Sequence, residues 1–279
     1  EYKAKVVLYT NAICPFAHRA AFATSLCALD PKIILTPLSG QLTIAEKVGM
    51  EGLTAQVSCA EPFKSLTAEQ LKAQKEEYKK NINASGEVPS LTTTDGNIII
   101  ESEIVAEFID KTSKGKVRLM PPNPVLAAKI RLAMKRFNDV VGPSYGLLMN
   151  QDPAADAEKA KTITDKLAKF AEAIDKDGSF CFGDKPTLAD VHCGPFLYRF
   201  KLLLDHYRGF DYFADQPSGD RLAKLLTNIV ALPEFNKLTP ITEEGLIQTY
   251  NAYANQMKFA DAPTKDKMYG GRGKSEFGK

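Results

Sequence analysis

The hydrophobic pattern of the first third of the chain alternates between strand-like and helix-like segments. Residues 6–9 and 32–38 are short apolar runs rich in β-branched side chains, which is typical of strands. Between them, the alanine-rich residues 15–29 predict a helix that begins just after a cysteine-proline pair. Residues 67–80 predict an amphipathic helix, opened by a threonine and a glutamine with capping-box spacing.

A β-hairpin and another helix follow in this region. Asp95-Gly96 lies between two strand-like runs and predicts a hairpin turn. Ser102 is expected to cap the next helix, and the apolar stripe of that helix consists of Ile104, Val105, Phe108 and Ile109. The order β-α-β-α-β-β-α predicts a small sheet with helices packed on it, which is an α/β domain.

The rest of the chain has the periodicity of amphipathic helices. Polar residues 111–116 and the sequence MPPNP at 120–124 predict a linker. Beyond the linker, helices are predicted at about 125–150, 156–175, 187–207, 220–231 and 242–254. We therefore expect an α/β domain at 1–115, an all-helical domain at 125–258 and a polar tail at 259–279, with a long loop or insertion at 39–65.

Composition and charge narrow the class of protein. The chain has 279 residues, of which 44% are hydrophobic and 25% charged, as in ordinary globular proteins. Its net charge of +2 argues against a dedicated nucleic-acid-binding protein. The five cysteines are scattered and lack metal-ligand spacing, so neither a disulfide scaffold nor a metal site is expected. Because no signal-peptide-like or membrane-spanning run is found, we expect a cytoplasmic protein with no membrane partner.

Cys14 is the strongest candidate for chemistry. A strand, a turn and Cys14-Pro15 place the thiol at the N-terminus of a helix, where free N–H groups and the helix dipole favour an anion. A thiolate is the nucleophilic form of cysteine, so this position predicts a reactive centre. The position three residues on is Ala17, which leaves no Cys-x-x-Cys dithiol. We therefore expect a monothiol nucleophile whose mixed disulfide is resolved by an external thiol or by a distant cysteine.

Pro89 is a candidate part of a peptide-binding site. It follows Val88 and precedes a predicted strand. A cis Val88-Pro89 bond would turn the Val88 N–H and C=O groups outward, towards an extended peptide lying beside Cys14. A trans proline at the start of a strand is the alternative interpretation.

Glu101-Ser102 lies at a strand-to-helix junction. In a functional site, the hydroxyl and N–H groups of Ser102 would hold a carboxylate at the helix N-terminus, and Glu101 would hold an ammonium group. Together they would bind the two charged groups of an amino-acid terminus. The alternative is a helix cap beside a solvated acid. Further along, Thr187 and Asp190 have capping-box spacing, which is a folding signal.

Taken together, these motifs resemble those of a cytosolic glutathione transferase. They are the run CPFAHR at 14–19, the pair Val88-Pro89, the pair Glu101-Ser102 and the box at 183–190, in the family's order. The first run is most similar to the omega class, and the resemblance covers about residues 5–240. It implies a thioredoxin-like N-terminal domain followed by a helical glutathione-transferase C-terminal domain.

The resemblance also implies a function and a set of binding residues. Cys14 would replace the Tyr or Ser of other classes, and the protein would use glutathione as co-substrate to reduce mixed disulfides, glutathionylated molecules or dehydroascorbate.

The resemblance assigns the glutathione-binding residues as follows. Phe16 would line the site beside the thiol, and Val88 next to Pro89 would pair with the cysteinyl backbone. Glu101 and Ser102 would hold the γ-glutamyl end. The glycyl carboxylate would be bound by a lysine, for which Lys72 and Lys75 are the candidates and Lys75 our choice. His18 and Arg19 are expected to be packing or ion-pair residues, and a homodimer is possible.

Other functions stay open at this stage. A conjugating transferase would activate bound glutathione to attack an electrophile, and a non-enzymatic interaction module would use the fold without chemistry. A related thiol such as trypanothione is an alternative to glutathione. The segment 39–65 and the basic tail depart from the omega-class pattern.

Overall fold

The computed structural model describes residues 6–39, 41–42, 65–113, 117–214, 218–255 and 274–275. These residues form two compact units. The first comprises the described residues up to Val117 together with Asn236–Thr249, and the second those of Arg118–Phe235 with 250–255 and 274–275. Most of the expected insertion at 39–65 and of the expected tail at 259–279 lies outside the described residues.

The first unit contains a mixed four-stranded sheet. Its strands are β1 Val7–Thr10, β2 Lys32–Leu35, β3 Ser90–Thr92 and β4 Ile98–Ile100, in the order β2-β1-β3-β4. The β1–β2 pair is parallel, and β3 pairs antiparallel with both β1 and β4. The hairpin predicted at Asp95-Gly96 joins β3 to β4, and Gly96 takes the positive φ of 84° that such a turn requires.

The helices that accompany this sheet in the described residues include α1 Pro15–Leu26, α2 Ala68–Asn81 and α3 Ser102–Thr112. The alanines of α1 are almost fully buried, since small side chains allow close packing against α3 and β1. The predicted capping box of α2 is present: Thr67 accepts from the Gln70 N–H, and Gln70 accepts from the Thr67 N–H at 2.8 Å. The expected thioredoxin-like α/β arrangement is confirmed.

Some predicted boundaries in this unit are wrong. Strand β2 stops at Leu35 rather than residue 38, because Pro37 has no N–H to donate to a sheet. Helix α1 stops at Leu26 rather than 29, because Ala28 has a φ of 51° and cannot continue a right-handed helix. Ser102 is the first residue of α3 and not its cap; that position is occupied by Glu101.

The second unit is helical, as predicted. Its helices are α4 Pro124–Leu148, α5 Asp156–Ala171, α6 Leu188–Arg208 and α7 Gly219–Val230, and a short 3-10 turn, Pro153–Ala155, precedes α5. A further helix, α8 Glu243–Ala254, follows. Phe137 of α4 packs edge-on against Phe170 of α5 and Phe196 of α6, with ring centroids 5.1 and 6.3 Å apart. Phe196 therefore belongs to the core.

The capping box before α6 is a buried hydrogen-bond network. Asp190 is fully buried, and its carboxylate accepts from the Thr187 N–H and the Cys181 N–H, both at 2.7 Å. The Thr187 hydroxyl donates to the same carboxylate at 2.8 Å. Burial raises the pKa of Asp190, and these hydrogen bonds act in the opposite direction. One carboxylate thus joins the start of α6 to the preceding loop.

Replacing Asp190 by alanine should destabilise the fold. Asp190→Ala leaves two buried N–H groups without an acceptor, so we expect a loss of about 2–4 kcal/mol in the free energy of unfolding. Urea denaturation followed by circular dichroism measures this loss. The matched control is Asp184→Ala, in the same loop but exposed, for which we expect a loss of about 1 kcal/mol or less. Equal losses in both variants would contradict the role given to Asp190.

Candidate active site

Cys14 lies at the N-cap of α1, as the sequence predicts. Pro15 is the first helical residue, and the Cys14 carbonyl accepts the first helical hydrogen bond, from the His18 N–H at 3.0 Å. The thiol is half-buried, and its Sγ atom lies 3.7 Å from the Val88 carbonyl oxygen. The first N–H groups of α1 have no acceptor within the helix, so this end of α1 favours a negative charge.

Asn11 organises the turn between β1 and Cys14. Its side-chain oxygen accepts from the Ile13 N–H at 3.1 Å, and its side-chain NH₂ donates to the Thr36 carbonyl and to Gln41, each at 2.9 Å. Its own carbonyl accepts from the Cys14 N–H at 3.3 Å. Sequence analysis missed this residue, although an asparagine that starts a turn by bonding to the backbone two residues on is a recognisable signal.

The Val88-Pro89 segment is next to the thiol. The peptide bond between these residues is cis, one of the two isomers considered from the sequence. Val88 is buried in a cluster with Ala17 and Tyr78, and Cys14 packs against that cluster. Within the described ranges the Val88 N–H makes no hydrogen bond. The segment thus presents backbone groups beside Cys14.

Glu101 and Ser102 lie at the start of α3 in the same unit. Glu101 is exposed and has a φ of 68°, a left-handed conformation that costs a non-glycine residue about 1–3 kcal/mol and often marks a functional site. Ser102 is buried, and its hydroxyl accepts from the Arg19 guanidinium at 3.3 Å. As the first residue of α3, Ser102 has an N–H group without a helical acceptor.

Arg19 connects two of the predicted site residues. Arg19 is 1% exposed, and its guanidinium lies 5.3 Å from the centroid of the Phe16 ring while donating a hydrogen bond to Ser102. Phe16 itself is 41% exposed, on the first turn of α1. Sequence analysis predicted a packing or ion-pair role for Arg19 but not this link to Ser102. His18 is fully buried with its ring edge-on to Phe22, which is the environment expected of a packing residue.

Lys75 lies on α2 and is only 3% exposed. Its ammonium group donates to the Gly86 carbonyl and lies 5.7 Å from the centroid of the Tyr78 ring. Burial lowers the pKa of Lys75, and repulsion from Lys79 adds to the shift. Lys72, the other candidate for the glycyl carboxylate, lies exposed on the same helix.

The other described cysteines are buried. They are Cys27, Cys181 and Cys193, and the Sγ atoms of the last two lie 3.9 Å apart. Burial raises the pKa of the Cys181 thiol, which disfavours the reactive thiolate. Cys59 lies outside the described residues. Among the cysteines that the structure describes, only Cys14 is exposed enough to meet a ligand directly.

The described part of the chain contains no group of three or more His, Cys, Asp or Glu side chains placed to hold a metal ion. None of the helices in the described ranges combines the length and the apolar composition needed to cross a membrane.

Two family models match the chain. The model described as "Glutathione S-transferase, N-terminal domain" matches residues 13–112, and the one described as "Glutathione S-transferase, C-terminal domain" matches residues 128–236. The two ranges together cover more than half of the chain. The first of them contains all seven predicted site residues, from Cys14 to Ser102.

The chain is similar to several named relatives. Glutathione S-transferase omega-1 of Mus musculus is 25% identical over 121 residues, which are 43% of this chain and 50% of the mouse protein. Probable glutathione S-transferase DHAR2, chloroplastic, of Oryza sativa subsp. japonica is 23% identical over 230 residues, or 81% of this chain and 78% of the rice protein. The match thus spans half of the mouse relative and about three quarters of the rice relative.

A solved structure shows the same fold. It is that of Leishmania TDR1, described as a unique trimeric glutathione transferase, with a TM-score of 0.68 and 22% sequence identity. The match covers 89% of this chain and 48% of the Leishmania chain. Because the two family models match most of its length, this chain belongs to the glutathione S-transferase family.

Proposed function

We propose that the protein is a glutathione-dependent thiol transferase of the omega type, with Cys14 as its nucleophile. The observation that carries the proposal is the half-exposed Cys14 thiol at the N-cap of α1, 3.7 Å from the Val88 carbonyl. Glutathione transferases of other classes use a hydroxyl group for catalysis. A thiol in that place favours exchange between sulfur atoms, because a thiolate attacks disulfides directly.

Glutathione would bind across the first unit. Its cysteinyl backbone would pair with the Val88 N–H and C=O groups as an added strand, which places its sulfur beside Cys14. Its γ-glutamyl carboxylate would accept from the N–H and hydroxyl groups of Ser102, and its ammonium group would meet the carboxylate of Glu101. Phe16 would cover the site from the first turn of α1. The relatives named for the omega class and for DHAR support the thiol-transferase type, whereas these residue contacts are predictions.

The chemistry runs in two thiol–disulfide exchanges. The Cys14 thiolate attacks the glutathione sulfur of a mixed disulfide, a Cys14–glutathione disulfide forms, and the other thiol leaves and takes up a proton. The thiolate of a second glutathione then attacks this disulfide, which yields oxidised glutathione and the free Cys14 thiolate. In this cycle one glutathione comes from the mixed disulfide and one is consumed as the free thiol. Reduction of dehydroascorbate to ascorbate would instead oxidise two free glutathiones to glutathione disulfide, which supplies the two electrons and two protons that this reduction requires. Ala17 carries no thiol, and the other cysteines that the structure describes are buried, so we assign resolution of the intermediate to the second glutathione.

Three earlier expectations stay predictions. For Lys75 to bind the glycyl carboxylate, its ammonium group would have to exchange its bond to the Gly86 carbonyl for one to glutathione. The cytoplasmic location and the homodimer are two further predictions from the sequence.

The conjugating transferase is the main alternative, and the non-enzymatic module is the other. In conjugation, glutathione itself attacks an electrophile, and Cys14 forms no covalent adduct. Turnover of a chloronitrobenzene beside turnover of a glutathione mixed disulfide separates these reactions. A protein that is retained on immobilised glutathione, turns over neither substrate and gains no glutathione adduct would be an interaction module.

Replacement of Cys14 by serine should abolish mixed-disulfide reduction. A hydroxyl group does not form a disulfide, so we expect the rate to fall by about a thousandfold or more, while the affinity for glutathione changes little. Turnover of a glutathionylated peptide measures the rate. Intact mass after treatment with oxidised glutathione should show one adduct at Cys14 in the wild type and none there in Cys14→Ser. Undiminished turnover in the variant would remove Cys14 from the mechanism.

Ser102→Ala should weaken glutathione binding. The substitution removes one hydrogen bond to a carboxylate, so we expect KM for glutathione to rise about tenfold with a smaller change in kcat. The control is Ser113→Ala at the other end of α3, where the hydroxyl donates to the Asp110 carbonyl and KM should stay unchanged. An unchanged KM in Ser102→Ala would argue against Ser102 as a ligand of the γ-glutamyl carboxylate.

A further inference from the structure

Two buried side chains of α2 contact the backbone on either side of Val88-Pro89. Lys75 and Tyr78 are three positions apart and so lie on the same face of the helix. The Lys75 ammonium group donates to the Gly86 carbonyl. The Tyr78 hydroxyl donates to the Glu87 carbonyl at 2.5 Å and lies 2.7 Å from the Ser90 hydroxyl. Segment 86–90 is therefore held before and after the cis peptide bond by one helix.

The Tyr78 ring also reaches the neighbourhood of the thiol. It is buried in the cluster with Ala17 and Val88, against which Cys14 packs, and it lies 5.4 Å from the Tyr9 ring. The ring thus contacts the surroundings of the nucleophile while its hydroxyl holds the segment. Burial raises the pKa of Tyr78, so the hydroxyl stays a neutral donor over the physiological pH range.

Position 86 favours glycine for two reasons, its backbone conformation and the lack of space for a side chain. Its φ of 74° is a conformation that suits glycine, and a Cβ atom there would lie 3.0 Å from Lys75 Cε and 3.1 Å from Lys79 Cγ. A larger residue would push the lysine side chains away. The close approach of Lys75 to the segment therefore depends on the absence of a side chain at residue 86.

The buried charge of Lys75 also acts on the thiol. Burial and Lys79 lower the pKa of Lys75, and the negative groups of Glu76, Glu87 and Cys14 oppose that shift. Interaction between two charges is mutual, so the Lys75 cation favours the Cys14 thiolate in return.

We propose that Lys75 and Tyr78 are positioning residues that hold segment 86–90 against Cys14 and so fix the place at which the thiol substrate pairs with Val88. This inference rests on the proposed function for the identity of the substrate. It gives Lys75 a role different from that of a glycyl-carboxylate ligand, because its ammonium group already holds the protein's own backbone.

The first test uses two pairs of variants. Tyr78→Phe removes the hydroxyl bonds and keeps the ring; its control is Tyr9→Phe, whose hydroxyl makes no hydrogen bond within the described residues. Gly86→Ala is matched with Gly96→Ala, since both glycines have positive φ but only Gly86 has neighbours within 4 Å of an added Cβ. We expect faster amide hydrogen exchange at 83–90 in Tyr78→Phe and Gly86→Ala, with KM for glutathione raised about five- to tenfold and kcat changed less. The controls should leave both quantities unchanged.

The second test separates positioning by Lys75 from ligand binding. Lys75→Met is compared with Lys80→Met, an exposed lysine of the same helix, using glutathione and γ-glutamylcysteine, which lacks the glycyl carboxylate. Positioning predicts that KM rises for both thiols by the same factor. A glycyl-carboxylate ligand predicts a higher KM for glutathione alone. Lys80→Met should leave KM unchanged for both thiols.

The outcomes also distinguish this inference from the proposed function. Unchanged exchange at 83–90 in Tyr78→Phe and Gly86→Ala, or a KM effect of Lys75→Met confined to glutathione, would overturn the inference. A wild-type protein that turns over no mixed disulfide would overturn the proposed function instead. In that case hydrogen exchange at 83–90, which needs no turnover, still decides whether Lys75 and Tyr78 position the segment.

Discussion

The antiparallel pairing of β1 with β3 is the constraint on which the site depends. The last registered pair, Tyr9 with Ser90, brings together the chain just before Cys14 and the chain just after Val88. Two residues 74 positions apart thereby meet at 3.7 Å. A slip of one residue would turn every side chain of the strand to the other face and would separate the thiol from the backbone groups beside it. The register of two short strands thus determines whether Cys14 has a site at all.

Local signals made most of the fold predictable. The Asp95-Gly96 hairpin, the capping boxes before α2 and α6 and the helical periodicity beyond residue 124 each depend on neighbours within a few positions, so sequence alone contains them. The errors lie where a single residue decides a boundary. Ala28 ends α1 by taking a positive φ that alanine rarely adopts, and no pattern of hydrophobic and polar residues indicates that choice.

The site was predictable to the extent that its residues form short motifs. Cys14-Pro15, Val88-Pro89 and Glu101-Ser102 are adjacent pairs whose chemistry is visible in the sequence. The supporting residues are not visible in this way, because each contacts a partner far along the chain. Arg19 meets Ser102 across 83 positions and Asn11 meets Thr36 across 25, so only the folded chain identifies these pairs. Lys75 shows the same limit: its place on α2 could be predicted, but its bond to the Gly86 carbonyl could not.

A monothiol mechanism demands two things of the site that ordinarily conflict. The Cys14 sulfur must be accessible, because a second glutathione has to attack the intermediate along the axis of its disulfide bond. The first glutathione must nevertheless be held firmly enough for its sulfur to stay in reach. In the structure, different residues meet these two demands. The thiol and Phe16 stay partly exposed, whereas Ser102, Tyr78 and Lys75 are buried and fixed by hydrogen bonds to the backbone or to other side chains. Under the proposed mechanism, buried anchors around an open sulfur would allow one thiol to bind and another to approach, and this division would give a single cysteine a complete catalytic cycle.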